Sequence, residues 1–479
     1  MESKKFLKDI SASTIQVAVT QVANLLIFYL ISKYISKEEF GFYNWSMAVV
    51  TTVITILSLG MDVIYVRRVS TDFKSILSSK IHFYHTTVLG GVLILLILLF
   101  RQFFNFSPSE EIIFILALVC QVTFSIANSF RLFLNGRENF NYLAYSAIIT
   151  NSVRVILILG LLIFNAFSIY YILTCFVICY LLELSINSFY KRKSLKESTP
   201  SNKTTNFQWK EYFFFIKESV PQLGVIIFDS SIARIDWILM GIIATTVATA
   251  EYSFAFKVFE LSKLPYIIIA PILLSRFSKL LKKNLSPLTE KQKTNLQNLL
   301  NLEVIISLMI PFVLICIWSD FFDWVTDNKY GKVNEITYMI LSIAIPIHCI
   351  NNFLWSIGVA QNQLKIILYN IVAVSILNLV LNIILIPLYS SLGAAISYMI
   401  PSIVQLFIYY KTIDLTKVKV KINTALLIIL IGVALILIVQ TSNLQPLSKV
   451  VIVIGSFVLI LFSTKIISLA KVKSALDAL

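Results

Sequence analysis

Residues 88–100 read VLGGVLILLILLF, with no charged or amide side chain. Such a run belongs either to a protein core or to a lipid bilayer, and length decides between them. A helix needs about 17–25 apolar residues to cross hydrocarbon, and the segment 81–100 around this run supplies them. The same texture returns at 153–164 (VRVILILGLLIF) and at 425–439 (ALLIILIGVALILIV). The chain has 479 residues and is 58% hydrophobic, above the roughly 45–50% of an average soluble protein. A secretory signal would be one short apolar stretch ahead of a polar body, whereas here apolar runs continue from end to end. The expected fold class is an all-α polytopic membrane protein.

Working outward, helices are expected near 12–32, 42–66, 81–100, 112–131, 142–164, 168–189, 219–243, 252–275, 296–318, 336–357, 366–388, 390–410, 422–440 and 449–468. Fourteen crossings put both termini on one side. The loops of that side hold 30 of the 40 Lys and Arg, chiefly in YKRKSLKESTPSNKTTNFQWK and RFSKLLKKNLSPLTEKQK. The opposite side carries Lys33, Lys37, Arg101, Lys329, Lys332 and Lys449. This asymmetry is the positive-inside signal and places the termini in the cytoplasm. The net charge of +15 thus reflects topology and attraction to anionic lipid head groups, and no nucleic-acid partner is expected. Cys120, Cys175, Cys179, Cys316 and Cys349 all fall in apolar segments without a C-x-x-C pair. They read as small buried hydrophobes, so no disulfide framework or zinc site is expected.

The polar stretch 190–217 divides the chain near its middle. The expected organisation is an N-terminal lobe at 1–200 with six helices and a cytoplasmic linker at 201–217. A C-terminal lobe at 218–415 follows with six more, and 416–479 adds two extra helices. A weak internal repeat sets Glu39-Phe40-Gly41-Phe42 against Glu251-Tyr252-Ser253-Phe254. Two similar bundles with a site between them is a common transporter plan.

Catalytic and cofactor chemistry is not signalled. No G-x-x-x-x-G-K-[ST] phosphate loop occurs, so no nucleotide motor is expected. His82 and His85 lie three apart at the start of the third segment but without a Cys or acidic cluster nearby, and they read as interfacial polar residues. Outer loops are too short for a catalytic domain. We expect no enzyme, no cofactor and no metal.

The informative residues are charges inside apolar segments. A charge at mid-bilayer costs about 2.5–3.5 kcal/mol on insertion scales and usually faces a bundle interior or a wet cavity. Arg154 lies deep in the fifth segment. In SSIARIDWILMG, residues 230–241, Arg234 and Asp236 are two apart and diverge around the helix, while Asp229 and Asp236 share a face. Lys257, Glu260 and Lys263 form a ladder in the eighth segment that can pair with itself. Packing ion pairs are one reading of these charges. The other is a mainly cationic cavity suited to an anionic solute such as a phosphate.

Several stretches resemble the polysaccharide flippase family, the O-antigen flippase relatives within the multidrug/oligosaccharidyl-lipid/polysaccharide (MOP) exporter superfamily. One is NLLIFYLISKYISKEEFGFYNWSMAVVTTVITILSLGMDVIYVRRVS, with Glu39-Phe40-Gly41, Leu59-Gly60 and Arg67. Others are LNGRENF and RIDWILMGIIATTVATAEYSFAFKVFELSKLP, with Asp236 and Tyr252. Ser253 departs from the Gly of many members, and fourteen helices exceed the twelve common in O-antigen flippases.

The resemblance implies a MATE-like fold of two six-helix bundles plus two helices. It implies alternating-access export of an undecaprenyl-pyrophosphate-linked glycan in a bacterial cytoplasmic membrane. Membrane lipids would be partners, as would a polymerase and glycosyltransferases of the same pathway. Arg154, Arg234, Lys257 and Lys263 would then bind substrate, with Asp236, Asp229 and Glu260 as coupling or switching ion-pair partners. A lipid II flippase relative and a cation-coupled multidrug antiporter of the same superfamily are the alternatives, the latter calling for a net acidic cavity. A membrane polymerase or glycosyltransferase would need a large polar outer loop or an acidic metal motif.

The charge asymmetry makes a direct prediction. Single cysteines placed at 195–210 or 282–293 should be shielded from an impermeant thiol reagent in intact cells, and those at 320–334 should react. Labelling of the 195–210 loop from outside would overturn the orientation.

Overall fold

The computed structural model describes residues 2–71, 74–197, 207–264, 277, 288–416, 418 and 420–476. Side chains are described within these ranges apart from 2–10, 196–197, 225–226, 228–233 and 476. Helix dominates because a bilayer leaves no other way to satisfy the backbone over a long apolar run. Eleven helices among the described residues are long and apolar enough to cross a membrane. One of them, Leu364–Thr412, is bent at Ser390 (φ 51°, ψ −126°), between the two segments expected at 366–388 and 390–410. Residues 265–275 of the expected eighth segment lie outside the described residues.

The chain packs as two compact units, Met1–Gly241 and Ile242–Leu479. The first contains α1 (Glu2–Tyr34), α2 (Lys37–Leu57), α3 (Met61–Ser70), α4 (Ser75–Phe100), α5 (Pro108–Gly136), α6 (Phe140–Ile163), α7 (Ile169–Glu197) and nearly all of α8 (Trp209–Ile243). Here α5 packs against α2, α3, α4 and α7, while α6 lies against α1 and α7. The second contains α9 (Thr246–Ser262), α10 (Glu290–Val325), α11 (Gly331–Ala360), α12 (Leu364–Thr412), α13 (Ile422–Gln440), α14 (Pro446–Ser463) and α15 (Leu469–Leu476). In it α11 packs against α9, α10 and α12, and the C-terminal α13, α14 and α15 dock on α10.

Helix starts are written locally. Ser107 and Glu110 close a capping box around Pro108, and Thr289 and Gln292 close another. Each box satisfies two amide hydrogens that the helix cannot. Ser36 caps α2 through Glu39 N, and Thr245 caps α9 through Ala248 N. Both halves of the proposed repeat bury the same pattern, Phe40 with Phe42 in α2 and Tyr252 with Phe254 in α9.

One expected helix, 42–66, is corrected. It breaks after Leu57 because Leu59 (φ 52°) and Gly60 (φ 73°) turn left-handed before α3 begins. The turn is needed for close approach: a Cβ on Gly60 would sit 2.8 Å from Leu223 N and 2.9 Å from Ser219 O. The backbone of α8 therefore rests directly on Gly60.

Nearly all of α8 belongs to the first unit, and described contacts tie it there near both ends. Arg68, buried at 2% exposure, pairs with Glu218 at 2.6 Å and Glu211 at 3.3 Å, and Lys74 reaches Glu211 at 2.5 Å. Arg67 also pairs with Glu218. At the other end Trp45 Nε1 donates to Ile238 O at 3.2 Å.

Gly60→Ala should therefore cost about 1–3 kcal/mol, since both the positive φ and the α8 backbone oppose a methyl group. Gly91→Ala, where nothing lies within 4 Å of the added Cβ, is the control. Thermal unfolding in detergent should show a clear loss for the first and none for the second; equal behaviour would refute the contact.

Candidate functional site

Three apolar helices of the first unit carry polar side chains at four-residue spacing, and these meet. On α1 the stripe is Gln16, Thr20 and Asn24; on α6 it is Ser146, Thr150 and Arg154, flanked by Asn151; on α7 it is Cys179, Glu183 and Asn187. Residues four apart share a helix face, so each stripe points one way and the bundle turns all three inward. Phe124 and Arg131 of α5 and Tyr180 of α7 complete the wall. Together they enclose a cavity of about 260 Å³.

Arg154 is the central charge, and it is 8% exposed. Its Nη2 donates to Asn24 Oδ1 at 2.7 Å and to Asn151 Oδ1 at 2.5 Å. Its guanidinium carbon stands 5.7 Å from the Phe176 ring centroid, a weak cation–π contact. Nε is buried with no hydrogen-bond partner. Among the described residues no carboxylate pairs with Arg154; its neighbours orient the guanidinium without neutralising it. Asn151 is itself fixed, donating to Ala147 O at 2.8 Å and to Thr20 Oγ1 at 3.3 Å.

The second cation, Arg131, donates twice to Asn128 Oδ1, at 2.9 and 2.6 Å, and reaches Glu183 only at 3.9 Å. Asn187 Nδ2 lies 3.5 Å from Glu183, while Asn187 Oδ1 and Ser146 Oγ are buried without partners. Two guanidiniums thus face one carboxylate across a polar space inside apolar helices.

The other charges expected at the site are distributed elsewhere. Asp236 is buried at 1% exposure and accepts from the Trp237 backbone N at 2.9 Å. Arg234 is half-buried on the same helix, and the side chain of Asp229 lies outside those described. Neither Arg234 nor Asp236 lines the α1–α5–α6–α7 cavity. In the second unit the ladder closes one rung, Lys257 to Glu260 at 2.8 Å, while Lys263 sits 4.4 Å over Phe259 and 5.9 Å from the Tyr398 ring. Of the substrate contacts expected from sequence, Arg154 is the one that lines this cavity.

The two histidines have separate partners. His82 places Nε2 at 2.8 Å from Asp62 Oδ1 and Nδ1 at 2.8 Å from Ser129 Oγ, and stacks on Tyr65. His85 places Nε2 at 2.9 Å from Leu57 O and Nδ1 at 3.1 Å from Tyr212 Oη. Arg131 and Glu183 were not among the expected site residues. Arg131 stands at an inner helix end, where a basic residue reads as topology, and Glu183 is a single acid in YLLELSINSF. Its i, i+4 spacing to Asn187 was the available signal.

A family model described as polysaccharide biosynthesis protein matches residues 6–280. No curated protein matches the chain in sequence. The solved structure of the lipid II flippase MurJ in an inward closed conformation is similar over 95% of this chain and 99% of that one, with 15% identity and a TM-score of 0.70. An inward-facing multidrug resistance MATE family transporter of the MOP superfamily is similar over 85% and 99%, with 12% identity and a TM-score of 0.61. A MOP superfamily transporter from Pyrococcus furiosus follows at 85% and 94%, with 13% identity and a TM-score of 0.54. At these identities the likeness is one of fold, the MATE-like fold of the MOP superfamily.

Proposed function

Because the chain belongs to the polysaccharide biosynthesis protein family and is a multi-pass helical membrane protein of flippase and transporter fold, we propose that it flips a lipid-linked oligosaccharide across a bacterial cytoplasmic membrane. The polyprenyl tail stays in lipid while the pyrophosphate and sugars cross by alternating access, supplying cell-surface polysaccharide synthesis. Both termini are cytoplasmic in this reading, and a polymerase and glycosyltransferases act before and after it.

The observation that carries the proposal is Arg154. A buried guanidinium held by two neutral amides in a bilayer helix is expensive unless something anionic uses it. The head group of a lipid-linked glycan is anionic and polyhydroxylated, and it cannot pass through hydrocarbon. Arg234, Lys257 and Lys263 supply further cations for it, with Asp236, Asp229 and Glu260 available as switching partners. A drug antiporter of the same superfamily would take cations, which two guanidiniums against one carboxylate disfavour.

Arg154→Ala and Arg234→Ala should each lower glycan export, counted per folded molecule in the membrane, by about tenfold or more, the loss of one charge-assisted contact. Lys at either position keeps the charge but removes the planar fork, so export should fall to an intermediate level. Unchanged export per folded molecule in both Ala variants would sink the reading and leave both residues as packing elements.

A further inference from the structure

The lining of the α1–α5–α6–α7 cavity carries more information than its sign. First, its charge is small: Arg131 and Arg154 against Glu183 leave one net positive charge. A pyrophosphate brings two or more negative charges, and one cation in excess does not match it. A single carboxylate does. Second, its size is wrong for a simple ion. A water-sized particle needs roughly 10–15 Å³ of such space, so a cavity of about 260 Å³ exceeds a halide by an order of magnitude.

Third, uncharged polar side chains are the largest class in the lining. Side-chain amides come from Gln16, Asn24, Asn151 and Asn187, and each amide offers both donors and acceptors. Asn187 Oδ1 and Ser146 Oγ are buried without a partner. A sugar ring is the complementary object, since each hydroxyl donates once and accepts. Phe124 and Tyr180, packed edge to face at 5.1 Å, provide the apolar surface on which the C–H face of a pyranose rests.

We propose that this cavity is a subsite for one acidic sugar, a hexuronic acid or a similar carboxylated monosaccharide, in the glycan that the protein carries. The Arg154 guanidinium takes the carboxylate, while the amides and Glu183 take the ring hydroxyls. The pyrophosphate is left to cations outside this cavity. The inference rests on the flippase reading for its physiological meaning, but the binding site can be tested without it.

Purified full-length protein in lipid nanodiscs is titrated with sodium glucuronate, glucose, sodium acetate and inorganic phosphate, with calorimetry as the readout. Glucuronate should bind about tenfold or more tightly than any of the other three. Arg154→Ala should weaken glucuronate by about tenfold. Ala147→Leu fills the cavity while keeping every charge, so it should also weaken glucuronate. Gel filtration of both variants establishes that they are folded, and Ala147→Leu keeps the test decisive if Arg154→Ala is not.

Glucose binding as well as glucuronate would overturn the acidic requirement. Acetate or phosphate binding as well would reduce the site to a general anion pocket, and absence of glucuronate binding would remove the site. A wild-type response in Ala147→Leu would place the ligand elsewhere. A vesicle assay separates the two proposals, using polyprenyl-pyrophosphate-linked disaccharides with and without a uronic acid. Equal flipping of both overturns the acidic-sugar subsite and leaves the flippase reading standing. Flipping of neither, with glucuronate still bound, overturns the flippase reading and leaves the subsite. Preferential flipping of the acidic one supports both.

Discussion

Hydrocarbon cannot satisfy a polar group, and almost everything in this chain follows from that constraint. Backbone amides are satisfied by running helix across the apolar segments, and the exposed starts of those helices are closed by Ser107, Thr289, Ser36 and Thr245. Side-chain polarity is satisfied by collecting it. Gln16, Thr20 and Asn24 would each be costly against lipid; gathered on one face of α1 and turned toward α6 and α7, they line the cavity, where Thr20 finds Asn151 and Asn24 finds Arg154. The cavity is the consequence, because polar stripes facing one another in an apolar bundle leave space that only a polar guest can fill.

The same constraint explains why α8 stays with the first unit. Glu211 and Glu218 on its opening turns meet Arg67, Arg68 and Lys74, and the Arg68 guanidinium also covers the Phe215 ring at 4.2 Å. Two carboxylates against three cations fix the register of α8 at one end. Gly60 then lets the backbone of α8 approach without a side chain between. The left-handed Leu59-Gly60 turn and the ion-pair cluster are therefore parts of one docking device, joined through α3.

The sequence made the crossings legible because twenty apolar residues in a row have few other uses. It did not show the break at Leu59-Gly60, since apolar residues stand on both sides of the turn, Ile56 and Leu57 before it and Met61 and Val66 after it. Arg154 stood out because it is alone in an apolar run, and the structure turns it into a polar cavity. Arg131 and Glu183 did not stand out, although the four-residue spacing of Ser146, Thr150 and Arg154, and of Cys179, Glu183 and Asn187, was there to be read. What spacing cannot supply is which stripes face each other. Asn24 and Arg154 are 130 residues apart, and their meeting depends on how four helices pack, a non-local property.

Arg68 and Arg154 show how burial alone fails to separate structure from function. Both are under a tenth exposed, at 2% and 8%, and both lie against phenylalanine rings. Arg68 has Glu211 and Glu218 as counter-charges, so its electrostatic demand is met within the protein, in a cluster that Arg67 and Lys74 complete. Arg154 has Asn24 and Asn151, whose carbonyl oxygens orient a guanidinium but leave its full charge. A bundle that needed Arg154 only for packing would be more stable with a carboxylate beside it or with an apolar residue in its place. Glu183 is on the neighbouring helix of the same cavity, yet it lies toward Arg131, at 3.9 Å, and Arg154 is left to neutral partners. The retained, uncompensated charge is what distinguishes a binding group from a structural one here.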